Sequence, residues 1–354
     1  MKSISKDKVS TELLGRIRHD FARYYGLPTE PTVLAAWEIV NPYSLVLCIK
    51  FGNANWSRRV FVKLPLGPFD PVTAAKASQP EFSYARIEFD ALSSVAHLRV
   101  VDPILGTASS VVPLAYYLDL FALVTLEAVG PTLRRLYNRN ARKWALPGMR
   151  QSLLDRVALS GKWLRLFHDS STIGLNGFPL EEFLNYCTTR LNKLSQTFPS
   201  FLSWSEAEAL IVAVKKVASK VPVNSLRISG CHNDFASHNI IAVEDGGISI
   251  LDFTMYGQGV NAFDVCNFWF ELEMLKCDPT NSIALLSDAQ SVFLTGYGAL
   301  STKSPDFMLA RFRYSINRLL NIASNTRKIS YLSPNWHRSI TLIRGWLRVF
   351  ATSH

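Results

Sequence analysis

Hydrophobic and polar positions follow two different patterns along this chain, and the pattern changes near residue 130. Before it, apolar and β-branched runs are short and are separated by turn-forming residues, which predicts strands. Three such runs, TVLAAWEIV, SLVLCIKF and RRVFVKL, are separated by NPY and GNANWS and predict an antiparallel meander. The later run VVPLAYYLDLFALVTLEAV predicts two further strands joined by a turn.

Apolar residues spaced three and four apart predict helices in both parts of the chain. Residues 11–25 and 81–98 fit this spacing in the first part, and helical patterns dominate after Gly130-Pro131. Two short strand-like runs, HNIIAV and ISILDF, interrupt them with EDGG as the hairpin turn. We therefore predict an α+β protein: a small antiparallel β lobe with an N-terminal helix over residues 1–128, and a larger helical lobe over residues 129–354.

Composition excludes several classes of protein. Of the 354 residues, 48% are hydrophobic and 19% are charged, which favours folded domains over disorder. The five cysteines are scattered without a CxxC pair, so a disulfide framework or zinc site is not expected. We expect a reducing, cytoplasmic location instead. The N-terminus does not resemble a secretory signal, and Pro113, Asp119 and Glu127 within the most apolar stretch argue against a transmembrane segment.

The net charge is +10, from 38 basic and 28 acidic residues, which favours anionic partners or simply gives a basic exterior. Charge alone also suggests a nucleic-acid binder, but no basic and aromatic module supports that class, and we expect no nucleic-acid partner. Five basic residues crowd the segment after the Gly-Pro joint, namely Arg134, Arg135, Arg139, Arg142 and Lys143. They fit either a solvated helix face or the entrance for an anionic substrate.

The stretch CHNDFASHN (231–239) and the nearby ILDF carry the clearest candidate chemistry. Asp234 can accept or orient a hydroxyl proton, and the hairpin is expected to return Asp252 close to Asn239. Asn and Asp oxygens are ligands that Mg²⁺ prefers. The alternative is that these residues only form turns. His232 and His238 stand six residues apart with no cysteine pair beside them, which argues against zinc.

Lys63 lies within an apolar strand pattern, and the following predicted helix offers Glu88 or, less well placed, Glu81 as its partner. A strand lysine paired with a helix glutamate is the ion pair that kinases use at the nucleotide phosphates. A lysine whose charged end simply reaches solvent is the alternative.

Together these motifs resemble the aminoglycoside phosphotransferase and choline kinase-like branch of the protein kinase-like fold. HNDFASHN is similar to its H-x-D-(x)4-N motif, and ILDFTMYGQGVNAFDV to its I-D-[WF]…G…D-[LV] segment. LRLFHDSS is similar to its helix ending in L-x-x-L-H, and LVTLEAVGPTL to its hinge. The order of these motifs covers about residues 35–270, and the resemblance implies a bilobal kinase fold.

The resemblance also implies an activity: transfer of the γ-phosphate of ATP or GTP, with Mg²⁺, to a hydroxyl of a sugar, amino alcohol or related metabolite or antibiotic. The expected partners are thus a nucleotide and a small acceptor, and the oligomeric state stays open. The implied roles are catalysis by Asp234, magnesium binding by Asn239 and Asp252, nucleotide contact by Lys63, Glu88, Ser44 and the backbone of Glu127 and Val129, and support of the catalytic loop by His232 and Asp264.

The sequence departs from the family pattern at two points. Asn233 stands where the family often has glycine, and the candidate phosphate loop NPYS has none. The second departure favours the alternative function, a catalytically weak or inactive kinase-like nucleotide-binding or scaffold protein. Glu271 and Glu273, near Trp269, suggest either a contact for a cationic or polyhydroxyl acceptor or a plain surface helix. The basic balance favours an anionic acceptor over an aminoglycoside.

Overall fold

The computed structural model describes residues 11–40, 44–53, 55–65, 80–176, 179–221, 226–298, 300–326 and 334–353. The helices are α1 (Thr11–Tyr25), α2 (Pro80–Val95), α3 (Leu133–Asn140), α4 (Pro147–Ser170), α5 (Leu180–Thr197), α6 (Trp204–Ala218), α7 (Asn261–Leu275), α8 (Ile283–Tyr297), α9 (Pro305–Thr326) and α10 (Pro334–Ser353). The strands are β1 (Thr32–Val40), β2 (Ser44–Gly52), β3 (Ser57–Pro65), β4 (Arg99–Asp102), β5 (Gly106–Ser110), β6 (Pro113–Tyr117), β7 (Ala122–Leu126), β8 (Thr172–Asn176), β9 (Leu226–Cys231), β10 (Ile240–Ala242), β11 (Ile248–Ile250) and β12 (Gly257–Val260).

The first of two compact units comprises residues 1–101, 107–131 and 240–256. Its main sheet has the order β1-β2-β3-β7-β6 and is antiparallel throughout, so the predicted meander and the two later strands are confirmed. Helix α1 packs Ile17 and Phe21 against the apolar face of this sheet, which includes Phe51, Val60 and Val124. Burial of this apolar area stabilises the unit.

The hairpin of β10 and β11 forms as EDGG predicted, but it groups with the first unit. The predicted division after residue 128 is linear, whereas the compact units are not, because β11 pairs in parallel with β5. Gly130 makes a close approach to this hairpin: a Cβ there would lie 1.9 Å from the carbonyl oxygen of Ala242. Its φ of +154° also disfavours other residues.

The second unit comprises residues 102–106, 132–239 and 257–354 and is mostly helical, with a three-stranded sheet in the order β12-β9-β8. Its core includes stacked aromatic rings, among them Trp163 on Phe235 and Phe268 on Phe293. Helices α9 and α10 pack their apolar faces inward, with Phe312 against Phe350. None of the described helices has a sufficiently long and apolar stretch to span a bilayer.

Candidate active site

Residues 232–239, here called the catalytic loop, follow β9 and end in a single 3-10 turn at Ser237–Asn239. The Asp234 side chain is 42% exposed and therefore open to a ligand. The Asn239 amide nitrogen donates to the Asp234 carboxylate (3.0 Å) and to the Asp234 carbonyl oxygen (2.9 Å). His238 Nε2 lies 3.4 Å from the same carboxylate. The structure thus joins Asp234 and Asn239 as one hydrogen-bonded pair.

The side chain of Asp264, on the first turn of α7, binds backbone amides at the start of this loop. Its two carboxylate oxygens accept the amide hydrogens of His232 (2.7 Å) and Asn233 (2.8 Å). His168 at the end of α4 lies 3.1 Å away through Nε2, and its Nδ1 is 2.9 Å from the Tyr297 hydroxyl. Asp264, His168 and His232 are all buried, so these bonds form away from water and fix the loop.

Glu271, two turns further along α7, holds the end of the loop in the same way. Its carboxylate accepts from the backbone amide (2.7 Å) and the hydroxyl (2.7 Å) of Ser237, and Arg134 donates to it at 2.5 Å. Glu273 instead bonds Lys276 and Gln290. The sequence raised both glutamates as acceptor contacts or surface residues. Both are in fact engaged inside the unit, and the role of Glu271 in the loop was missed.

Asn233 has a φ of +61°, in the left-handed region. Glycine adopts this region freely, and asparagine is the side chain that tolerates it best among the others. The departure from the family pattern at this position therefore keeps the backbone conformation that a glycine would allow. The Asn233 side-chain atoms also lie near Gly257 and Gly259, where a Cβ would come to 3.7 Å of them.

A second cluster of site residues lies within the first unit. Lys63 on β3 donates to Glu88 of α2 (2.7 Å), to Asp252 (2.9 Å) and to the hydroxyl of Thr254 (2.7 Å). The Thr254 hydroxyl also lies 3.0 Å from the Glu88 carboxylate. The structure therefore pairs Lys63 with Glu88 and adds Asp252, while the side chain of Glu81 falls outside the described residues. Thr254 was missed, although it stands two residues after Asp252.

The charges in this cluster shift the pKa values of the side chains that carry them. Burial alone lowers the pKa of Lys63, but the adjacent Glu88 and Asp252 carboxylates outweigh it and the pKa is raised. Burial raises the pKa of Glu88, the Lys63 charge opposes this, and the Asp252 charge adds to it, so that this pKa is also raised. The cluster therefore holds a protonated lysine between two carboxylates that repel each other.

The remaining predicted nucleotide contacts lie elsewhere in the first unit. Glu127 binds Arg59 through both carboxylate oxygens (2.7 and 2.6 Å), and its amide donates to the Arg59 carbonyl oxygen (3.1 Å). That amide is therefore committed to the sheet, whereas Val129 makes no hydrogen bond with any described residue and is exposed. Ser44 is buried at the start of β2. The rest of the NPYS loop, residues 41–43, lies outside the described residues.

The chemistry of two donor sets decides which residues fit a metal. Asn239 uses its amide nitrogen on Asp234, which leaves its amide oxygen for a hard cation, and the Asp252 carboxylate is 39% exposed. Among the described residues, His168, Cys231 and Asp264 also have metal-like spacing. His168 and Asp264 already use these atoms in hydrogen bonds that hold the loop, and burial raises the pKa of the Cys231 thiol, so this group fits a structural network and not a metal.

Comparison with known proteins bears on these arrangements. The family model for choline/ethanolamine kinase matches residues 169–302. The chain has the fold of the aminoglycoside phosphotransferase and choline kinase-like proteins. A search of curated protein sequences finds no match. The family match indicates a phosphotransferase with a hydroxyl acceptor, in agreement with the enzyme class expected from the motifs.

Solved structures of low sequence identity share this fold. A candidate aminoglycoside phosphotransferase from Ralstonia eutropha is 11% identical, with a TM-score of 0.56 over 95% of this chain and 97% of the other. A glucosamine kinase is 15% identical, with a TM-score of 0.55 over 94% and 84% of the two chains. A thermostable aminoglycoside phosphotransferase, in complex with AMP-PNP and hygromycin B, is 12% identical, with a TM-score of 0.51 over 95% and 98%. The predicted bilobal α+β kinase-like fold is confirmed.

Proposed function

We propose that this protein is a small-molecule kinase that transfers the γ-phosphate of ATP or GTP to a hydroxyl group of a small acceptor. The observation that carries the proposal is the catalytic loop: an exposed Asp234 carboxylate is oriented by Asn239, on a backbone fixed at both ends by Asp264 and Glu271. Phosphoryl transfer depends mainly on such positioning and on charge stabilisation. Sugars, amino alcohols and related metabolites or antibiotics are the acceptor classes that the resemblance supports.

Asp234 is assigned to the acceptor hydroxyl. Its carboxylate orients that hydroxyl and takes its proton as the oxygen attacks the γ-phosphorus and the bond to the leaving nucleoside diphosphate breaks. Lys63 is assigned to the α- and β-phosphates of the nucleotide and Glu88 to the orientation of Lys63, while Ser44 and the backbone of Glu127 and Val129 are assigned to the nucleotide. For Glu127 this leaves the carbonyl oxygen, because its amide is committed to Arg59.

Asn239 and Asp252 are assigned to Mg²⁺, because the Asn239 amide oxygen and the partly exposed Asp252 carboxylate are oxygen ligands of the kind that this ion takes. When bound, Mg²⁺ neutralises charge on the transferred phosphate.

The five cysteines are buried and free, which supports the expected reducing, cytoplasmic location.

The test is transfer of labelled phosphate from ATP or GTP, with Mg²⁺, to a panel of sugars and amino alcohols. Loss of a positioned acid–base group lowers turnover by about a thousandfold, so Asp234→Asn is expected to do so while still binding nucleotide. Asp245→Asn, in the hairpin turn, is the matched control and is expected to keep full activity. Undiminished transfer by Asp234→Asn would refute the assignment of this residue.

The alternative is a kinase-like protein that binds nucleotide with weak or no turnover, favoured by the glycine-free NPYS loop. Thermal shift separates the cases, since a nucleotide at one hundred times its dissociation constant stabilises a protein by about 2.7 kcal/mol. A shift that needs Mg²⁺, without transfer to any acceptor, supports the alternative. Absence of any nucleotide-dependent shift contradicts both.

A further inference from the structure

Helix α9 places Arg311, Tyr314 and Arg318 at positions i, i+3 and i+7, which lie on one face of a helix. Helix α9 packs against α7, the helix that supports the catalytic loop. Neither arginine has a hydrogen bond or a carboxylate within salt-bridge distance among the described residues. Partly buried arginines without such a partner are unusual, because guanidinium groups leave water at a cost unless they are paired.

Arg318 lies within electrostatic reach of the Arg134–Glu271 ion pair. Its Nε atom is buried and makes no hydrogen bond with any described residue. Burial and the like charge of Arg134 lower the pKa of Arg318, and the charge of Glu271 only partly offsets them. Glu271 is already bound by Arg134 and by Ser237. Arg318 is therefore a largely desolvated cation, and Glu271, the carboxylate that acts on its pKa, is bound by other residues.

Arg311, seven residues before Arg318 on the same face of α9, is also a partly buried arginine without a carboxylate partner among the described residues. Its guanidinium carbon stands 5.0 Å from the centre of the Trp269 ring and 4.6 Å from that of Trp346, so two aromatic faces fix its direction. Its Nε is buried without a hydrogen-bond partner in the described chain. Burial lowers its pKa, and the opposing charge of Glu273 is the one that Lys276 and Gln290 already bind.

Tyr314 connects this face of α9 electrostatically with the catalytic loop. Burial raises the pKa of its hydroxyl, and the charges of Asp264 and Asp234 raise it further, so the ring lies within electrostatic reach of the proposed catalytic carboxylate. Its hydroxyl has no hydrogen-bond partner among the described residues. Tyr314 thus stands along α9 between two arginines that lack a carboxylate partner among the described residues.

We propose that Arg311 and Arg318, with Tyr314 at the helical position between them, form a subsite for an anionic group on the acceptor, so that the substrate is an alcohol that itself carries a phosphate, sulfate or carboxylate. This inference rests on the proposed kinase function. Guanidinium groups donate paired hydrogen bonds to such anions, and two of them with a hydroxyl supply enough donors for one. A polycationic aminoglycoside would instead meet uncompensated positive charge on this face.

Binding of inorganic phosphate tests the subsite without catalysis. Thermal unfolding of the nucleotide-free full chain is measured in sodium phosphate and in sodium chloride of equal ionic strength. The phosphate-specific rise in Tm is expected to disappear in Arg311→Met and Arg318→Met, where methionine keeps the apolar stem, and to weaken in Arg318→Lys. Arg348→Met is the matched control, since Arg348 pairs with Glu206, and Lys63→Met tests for phosphate at the nucleotide site. Both controls are expected to keep the rise.

Matched acceptors test the substrate class. Each alcohol is offered with and without a phosphate group, for example glucosamine 6-phosphate against glucosamine. The expected result is a kcat/KM at least tenfold higher for the anionic member, and a ratio near one in Arg318→Met. Equal use of both members, or a ratio that the arginine variants leave intact, overturns the subsite and leaves the kinase assignment standing. An arginine-dependent phosphate shift without transfer to any acceptor supports the subsite and contradicts the kinase assignment.

Discussion

The buried charged side chains of the two units have different kinds of hydrogen-bond partner. In the first unit, the cluster of Lys63, Glu88, Asp252 and Thr254 is held together by side chains that contact one another. In the second, Asp264 binds two backbone amides of the catalytic loop and Glu271 binds one, and the proposed catalytic group, Asp234, is left exposed. One set of contacts joins charged side chains to one another, and the other fixes a stretch of main chain.

This difference indicates what each set of residues is able to do. Lysine contacts to carboxylates can be exchanged for contacts to phosphate, because the same donor serves both kinds of oxygen. A carboxylate that accepts two backbone amides cannot be released without freeing the loop and leaving buried donors unpaired. The first cluster is therefore suited to binding a charged ligand, and the second to holding a geometry.

The largest expected effect is in the first cluster, at Lys63. Lys63→Met removes the cation and leaves Glu88 buried beside Asp252. Breaking a buried ion pair by removing one partner costs about 3 kcal/mol or more. We expect that loss in the unfolding free energy at pH 8, measured by urea denaturation. The double variant Lys63→Met/Glu88→Gln, which removes the stranded charge, is expected to recover most of it. No recovery would show that the lysine stabilises by packing alone.

The same variant predicts a pH dependence whose sign follows from Glu88. Its folded-state pKa is raised above the ordinary value of 4.5, and without Lys63 the lowering influence is lost and the pKa rises further. A group with a raised folded-state pKa contributes stability that is present below its unfolded pKa and lost as pH rises through the folded value. The deficit of Lys63→Met against the parent is therefore expected to be small near pH 4.5 and to grow towards pH 8. A deficit independent of pH would contradict the raised pKa.

The next effect is in the second unit, at Asp264. Asp264→Asn presents an amide nitrogen to one of two backbone donors, so that one buried N–H loses its acceptor, at a cost of about 2 kcal/mol. Unfolding free energy and turnover are expected to fall together, because the loop that carries Asp234 is released. Asp288→Asn, at an exposed position of α8, is the control and is expected to change neither. Full activity in Asp264→Asn would show that the loop does not need this clamp.

Sequence reasoning reached the residues whose partners follow from a motif. Asp234 and Asn239 are five residues apart on one loop, and Lys63 and Glu88 stand on a strand and the next helix, so their pairing could be predicted from chain order. Glu271 could not be linked to Ser237 in this way. Spacing along α7 gives the face that a residue occupies but not which backbone amide, over thirty residues away, meets it.

Long-range strand pairing escaped sequence reasoning for the same reason. The β10–β11 hairpin was predicted from its turn, but its place with the first unit depends on β11 pairing with β5, about 140 residues earlier in the chain. Both strands are short, and β5 reads GTASS, which lacks the apolar or alternating pattern of a typical strand. The arginines of α9 are another such case, because only the packing of α9 against α7 shows which of them lack a carboxylate partner.

The smallest expected effect concerns Asn233, the position where the sequence departs from the family glycine. With φ at +61°, Asn233→Ala places a Cβ-bearing residue without a compensating polar group in the left-handed region, at a cost of about 1 kcal/mol. Asn233→Gly is expected to stay within about 0.5 kcal/mol of the parent and to keep its turnover, because glycine reaches the same backbone conformation without strain. Urea unfolding of both variants measures this difference. If alanine and glycine proved equally harmful, the loop would require the side-chain amide of Asn233. The catalytic loop would then be held by a side-chain contact as well as by its backbone amides.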